Sequence, residues 1–171
     1  CVVIDCANGM AGLVARRIWQ QTGADVTYLL EEVDGRFPMH APNPAEAHNL
    51  AFLGEQVLRA GAHLGIAYDG DADRIGIVDE RGQPVTGDQA VVLFARDALS
   101  DGPAVVVYDQ KCSRIVPDAV RAAGGTPVME LSGHTYIKRT FLTRQAAYAG
   151  ELSGHHFLRA VHGDDALAAS L

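Results

Sequence analysis

Six residues carry the densest chemistry in the chain: Asp69-Gly70-Asp71-Ala72-Asp73-Arg74. Carboxylates at every second position of a turn converge on one small volume. Uncompensated, acidic groups about 5 Å apart repel by roughly 3 kcal/mol per pair at an effective dielectric of ~20, so the pattern calls for a cation among them. Hard oxygen donors suit Mg²⁺ or Ca²⁺, and three protein carboxylates leave positions open for water or a phosphate oxygen. Arg74 adds a fixed fork of donors suited to phosphate or carboxylate. Solvated surfaces also carry acidic turns, and the triplet alone does not separate the two cases.

Two other chemistries share part of this pattern. An EF-hand loop has Asp at its first, third and fifth positions, and Glu80 falls at its twelfth, but its sixth-position Gly is Arg74 here and the flanks read as strands. A phosphatase working through an aspartyl phosphate would use Asp69 as nucleophile and Asp71 as acid or base, leaving Asp73 and Arg74 without a role.

A second polar turn is Gly150-Glu151-Leu152-Ser153-Gly154-His155-His156. Its glycines permit a tight turn, and Glu151, Ser153 and His155 alternate, so that carboxylate, hydroxyl and imidazole can face one side. That set suits hydrogen bonding to vicinal sugar hydroxyls, although a polar turn ending any strand would look similar. Ser132-Gly133 opens a helical pattern with His134 and Lys138 four residues apart on one face near its start, a place that favours anions. A solvated His and Lys would have the same spacing.

The elements around these turns follow a βα rhythm. Residues 1–5 read as a buried strand, 13–22 as a helix stopped by Gly23, and 26–30 as a second strand. Residues 31–44, with Pro38, Pro42 and Pro44, cannot be regular structure. A helix over about 45–60 leads to a strand at 64–68 that ends at Asp69, with another at 75–78. Arg81-Gly82 and Pro84 mark a boundary, after which the rhythm restarts: a helix from Asp88, strands at 104–108 and 127–131, and helices at 114–123 and after Ser132. This predicts two consecutive three-layer α/β domains, 1–83 and 84–171, with mixed, largely parallel sheets whose ligands gather at the carboxyl ends of strands.

Composition narrows the partners. A net charge of −7 with no basic stripe argues against nucleic acid, and no apolar run reaches the roughly eighteen residues of a membrane span. The expected location is the cytosol. Three irregularly spaced cysteines, Cys1, Cys6 and Cys112, support neither a disulfide framework nor a zinc site and read as small buried hydrophobes. Both ends fall inside apparent elements, which is expected of a segment cut from a longer polypeptide.

Taken in order, residues 34–44 (DGRFPMHAPNP), Asp69 to Arg74, Lys111-Cys112-Ser113-Arg114, Ser132-Gly133-His134 and Glu151 to His155 resemble the α-D-phosphohexomutase family. The turn G-E-L-S-G-H looks most like its phosphomannomutase/phosphoglucomutase branch, since the glucosamine-phosphate branch usually has Gln at the place of Leu152. The resemblance implies domains two and three of a four-domain enzyme that interconverts hexose 1- and 6-phosphates through a phosphoserine and a bisphosphorylated sugar. It implies Mg²⁺ on Asp69, Asp71 and Asp73, with Arg74 and His155 catalytic. Lys111, His134, Glu151, Ser153 and His155 would contact the substrate, with Lys138 a further candidate. The family's serine loop and its carboxy-terminal phosphate loop are absent from this sequence, and Ser132 stands where the family commonly has Thr. The missing first and fourth domains are therefore expected partners, and the segment alone is expected to turn over nothing. A phosphoglucosamine mutase segment and a non-catalytic sugar-phosphate-binding module are the remaining alternatives.

Overall fold

The apolar run at the start becomes β1 (Val2–Asp5), buried along its whole length. It lies between two parallel neighbours, β2 (Val26–Leu29) and β3 (Leu64–Tyr68). β4 (Ile75–Asp79) and β5 (Pro84–Val85) then add antiparallel, giving the order β2-β1-β3-β4-β5. Alternate residues serve two cores, as strand geometry requires. Val2, Ile4, Ile66 and Tyr68 pack with α1 (Ala15–Trp19) and α6 (Ala166–Ala169), while Val3 and Ala67 pack with α2 (Ala51–Ala60).

The second sheet repeats this plan. β6 (Val105–Asp109) lies between parallel β7 (Thr126–Glu130) and β8 (Tyr148–Gly150), and β9 (His156–Leu158) and β10 (Gly163–Asp164) add antiparallel. Val106, Tyr108 and Tyr148 pack with α3 (Gly87–Ala98) and α4 (Ile115–Ala122), and Val107, Ala149 and Phe157 with α5 (His134–Thr143). Read from its parallel edge, the order β7-β6-β8-β9-β10 matches that of the first sheet, with the same directions.

The computed structural model describes residues 1–171, in two compact units: Cys1–Val85 with Ala166–Leu171, and Thr86–Asp165. The sheets are mixed α/β sheets with helices on both faces, half of each sheet's pairings being antiparallel. The last six residues fall within the first compact unit, whereas the domain division expected from the sequence is 1–83 and 84–171. The helix expected over 13–22 is α1 flanked by 3₁₀ turns, and the one expected over 45–60 begins as a 3₁₀ turn before Ala51.

Tyr68 ties the carboxy-terminal segment down. Its hydroxyl accepts from Trp19 Nε1 at 3.2 Å and bonds Ser170 Oγ at 2.6 Å, in a region where Tyr68 is 1% exposed. Tyr68→Phe leaves the indole N–H without an acceptor, so it should lower unfolding free energy by about 2 kcal/mol in urea denaturation. An unchanged midpoint would mean that water replaces the hydroxyl.

Candidate functional site

The acidic turn joins β3 to β4, whose last register pair is Tyr68↔Ile75. Its organiser is Asp69, 1% exposed. Asp69 Oδ1 accepts from the Asp73 and Arg74 backbone N–H groups at 3.0 and 3.1 Å, and Oδ2 from Arg74 Nε at 2.6 Å. The clamp holds Ala72 at φ 66°, a left-handed conformation that costs a residue with a Cβ roughly 1–2 kcal/mol. Asp71 is exposed and Asp73 half-buried, yet carboxylate oxygens of Asp69, Asp71 and Asp73 all lie within 4.8 Å of one another. An all-oxygen set of this spacing fits a hard divalent cation: Asp71 and Asp73 contribute carboxylate oxygens, and Asp69 Oδ2, which accepts one bond from Arg74, keeps a second lone pair. Helices flank an EF-hand; here both flanks are strands.

Arg74 is fixed from a second side. Its Nη1 donates to Asn43 Oδ1 at 3.2 Å, from the proline-containing loop. That loop is anchored in turn by His40, whose Nε2 lies 2.9 Å from Oδ2 of the fully buried Asp5.

In the second unit the equivalent turn joins β8 to β9, closed by Glu151 N–H donating to His155 O at 3.0 Å. Glu151 Oε2 accepts from Ser153 Oγ at 3.0 Å and lies 3.0 Å from His155 Nδ1, which is also 3.1 Å from Ser153 Oγ. Burial pushes the Glu151 carboxyl upward, but hydrogen bonds from His155 and Ser153 outweigh it and leave the pKa below the usual carboxylate value. Glu151 is 4% exposed, and its other oxygen, Oε1, has no partner within the protein. Beneath the turn, His156 Nδ1 bonds the buried Tyr148 hydroxyl at 2.5 Å. Burial lowers the His156 pKa to about 3, so the ring is neutral.

His134 begins α5, and its ring stands edge-on to that of His155 with centroids 5.8 Å apart. Its Nε2 bonds Asp164 Oδ1 at 2.8 Å, giving a second carboxylate-held imidazole beside the Glu151–His155 pair. Lys138 sits one turn further along α5, its ammonium beside Gly163. Lys111 is exposed in the loop after β6, where its N–H donates to Asp109 Oδ1 at 2.7 Å. Ser132 Oγ bonds the same carboxylate oxygen.

The expected residues therefore gather in two clusters, Asp69, Asp71, Asp73 and Arg74 in one unit, and Glu151, Ser153, His155 and His134 in the other. Sequence reasoning missed Asn43, His40, Asp5, Asp109 and Asp164, which hold these groups in place. A signal existed for Asp5 and Asp109, since each is a carboxylate closing an apolar strand.

Both units match known domains. The family model described as phosphoglucomutase/phosphomannomutase, alpha/beta/alpha domain II, covers residues 1–82, and domain III covers residues 86–171. The chain belongs to the phosphoglucomutase/phosphomannomutase family. A phosphomannomutase/phosphoglucomutase of Pseudomonas syringae pv. tomato is 43% identical over 159 residues, which are 92% of this chain and 34% of that protein. A phosphoglucomutase of Neisseria gonorrhoeae is 39% identical over 92% of this chain and 35% of its own length. Among solved structures, a phosphoglucomutase/phosphomannomutase family protein from Burkholderia thailandensis superposes with a TM-score of 0.94 at 38% identity, over 99% of this chain and 38% of that one. The chain thus spans about a third of the length of the curated relatives it matches. No helix is long and apolar enough to cross a membrane.

Proposed function

We propose that this chain is the cation- and sugar-binding portion of a phosphomannomutase/phosphoglucomutase, an isomerase that interconverts hexose 1-phosphate and hexose 6-phosphate. The phosphoserine and the remaining phosphate-binding loop belong to the family's first and fourth domains. The observation that carries this reading is the convergence of Asp69, Asp71 and Asp73 within 4.8 Å beside an arginine fixed on two sides.

Asp69, Asp71 and Asp73 would hold Mg²⁺, which would supply positive charge to offset that of the phosphoryl group. Arg74 would lie beside the transferring phosphoryl group, where a guanidinium locked before substrate arrives needs no reorganisation. Glu151 Oε1, buried and without a protein partner, is suited to accept from a sugar hydroxyl, with Ser153 beside it. A sugar that must bind in two orientations favours contacts to the hydroxyls both share. His155, held by Glu151 through Nδ1, has the arrangement of an imidazole that carries a proton, while His134 and Lys111 would contact substrate phosphate or hydroxyls. The aspartyl-phosphate alternative fits poorly, because two backbone N–H groups hold Asp69 Oδ1 and the ion pair with Arg74 on Oδ2 lowers the nucleophilicity of the remaining lone pair.

Mixing the isolated chain with glucose 1-phosphate, a hexose bisphosphate and Mg²⁺ should give no turnover, and a version carrying the family's first and fourth domains should be active. Turnover by the chain alone would refute the need for an external serine. Asp71→Asn should weaken Mn²⁺ binding at least ~10-fold, read by paramagnetic relaxation, while leaving the urea midpoint nearly unchanged because Asp71 is exposed. Unaltered Mn²⁺ affinity would remove the acidic turn from the cation site.

A further inference from the structure

We propose that His40 is a positioning residue: as an imidazolium seated on buried Asp5, it pins the loop through which Asn43 holds Arg74 at the acidic turn. The geometric claim stands on unit one alone; its functional meaning rests on the proposed role of Arg74.

Asp5 closes β1 and is 0% exposed. Its Oδ1 accepts from Ala7 N–H at 2.8 Å, and its Oδ2 faces His40 Nε2 at 2.9 Å. A buried carboxylate is strongly unfavourable unless a counter-charge and hydrogen bonds replace its water. His40 is the cation-forming side chain bonded to it. The other ring nitrogen, Nδ1, lies 3.0 Å from the Ala41 carbonyl oxygen, which can only accept. A neutral imidazole carries one N–H and could satisfy one of these acceptors; the doubly protonated ring satisfies both. The bond to Asp5 raises the His40 pKa against the opposing pull of burial, and the Ala41 carbonyl adds to the rise.

From this anchor the loop runs directly onto the acidic turn. A Cβ on Gly70 would lie 3.4 Å from the Phe37 ring and 3.6 Å from Pro42, and one on Gly76 would lie 2.7 Å from Pro44 Cβ. Loop and turn are therefore in van der Waals contact, with Asn43 between those prolines. Asn43 is itself immobilised: its carbonyl accepts from Asn49 Nδ2 at 2.9 Å and its Nδ2 donates to Glu46 at 2.9 Å. Its remaining oxygen, Oδ1, accepts from Arg74 Nη1.

The second unit has the same device without the charge. Buried Asp109 closes β6, takes the N–H of the residue two further on, and bonds Ser132, which follows β7 as His40 follows β2. A carboxylate at the end of the central strand tethers the loop after the parallel edge strand in both units. The first unit uses an ionisable partner where the second uses a hydroxyl, and in the first unit the tethered loop reaches an arginine.

The test is ¹⁵N NMR on the 171-residue chain. Both ring nitrogens of His40 should be protonated at pH 7, a measurement that needs no variant. His40→Gln and Asn43→Ala should each cost the Arg74 Nη1–H signal, which the bond to Asn43 shields from exchange, its protection, and the double variant should lose no more than either alone. His40→Lys, which restores a cation, should recover part of it. A neutral His40 ring, or an Arg74 signal that Asn43→Ala alters and His40→Gln does not, would overturn the proposal. Mn²⁺ titration of the same samples separates the two readings: a wild-type chain that binds none removes the functional reading and leaves the NMR result standing.

Discussion

Asp69→Asn should lower the unfolding free energy by about 3 kcal/mol and abolish cation binding together, whereas Asp71→Asn weakens cation binding and leaves stability nearly unchanged. The difference follows from burial. Asp69 is 1% exposed, and its carboxylate accepts three hydrogen bonds, one of them charge-assisted from Arg74. Asparagine keeps the volume but can turn only one oxygen toward these donors. Its NH₂ then faces either the guanidinium or the two backbone N–H groups. Removing one partner of a largely buried ion pair typically costs 3–5 kcal/mol, and the low end applies because Arg74 retains 28% of its side-chain exposure and can reach water. The left-handed Ala72 adds to the loss, since the clamp that compensates its backbone cost is gone. Urea denaturation with and without Mg²⁺ checks both halves. A stable Asp69→Asn chain that has merely lost its cation would mean that the turn is held by its strands and not by this carboxylate.

What the sequence disclosed and what it hid divide along one physical line. The acidic turn is legible because its ligands are neighbours in the chain and its flanks are apolar runs of strand length. The cluster of Glu151, Ser153 and His155 is legible for the same reason: alternation within a turn is local information. The supports are not local. His134 meets Asp164 across 30 residues, Asn43 meets Arg74 across 31, and Asp5 meets His40 across 35. No spacing rule announces such pairs, although a carboxylate closing a buried strand is itself a signal that some donor must reach it. The antiparallel halves of the sheets were more accessible. Only six residues separate β3 from β4, too few for the crossover that a parallel pairing needs. The capture of the final segment by the first unit was not, because α6 has four residues and its place is decided by Tyr68 and Ser170.

His156 and His40 should make the two units respond to pH in opposite senses. His156 is buried and neutral, its pKa lowered by burial from the ordinary 6.5 to about 3. Between those values the unfolded chain binds a proton that the folded chain refuses, so stability rises with pH through this window and is lost as pH falls below about 6.5. The slope approaches 1.4 kcal/mol per unit, which makes the contribution at pH 5 about 2 kcal/mol less favourable than at pH 7. His40 has the reverse sign: its raised pKa gives stability that is complete below 6.5 and is lost as pH climbs through the folded value. A single unfolding curve mixes both, together with five other histidines. His156→Gln isolates the first term, because all other groups cancel in the comparison with wild type. Glutamine can still bond the Tyr148 hydroxyl but loses ring contact with Phe94, 4.3 Å between centroids in the wild type. The variant should therefore be less stable at pH 7, yet lose about 2 kcal/mol less than wild type on going to pH 5. Parallel pH profiles for the two proteins would show that His156 takes up its proton inside the fold, and that the Tyr148–His156 pair beneath the Glu151 turn is open to water.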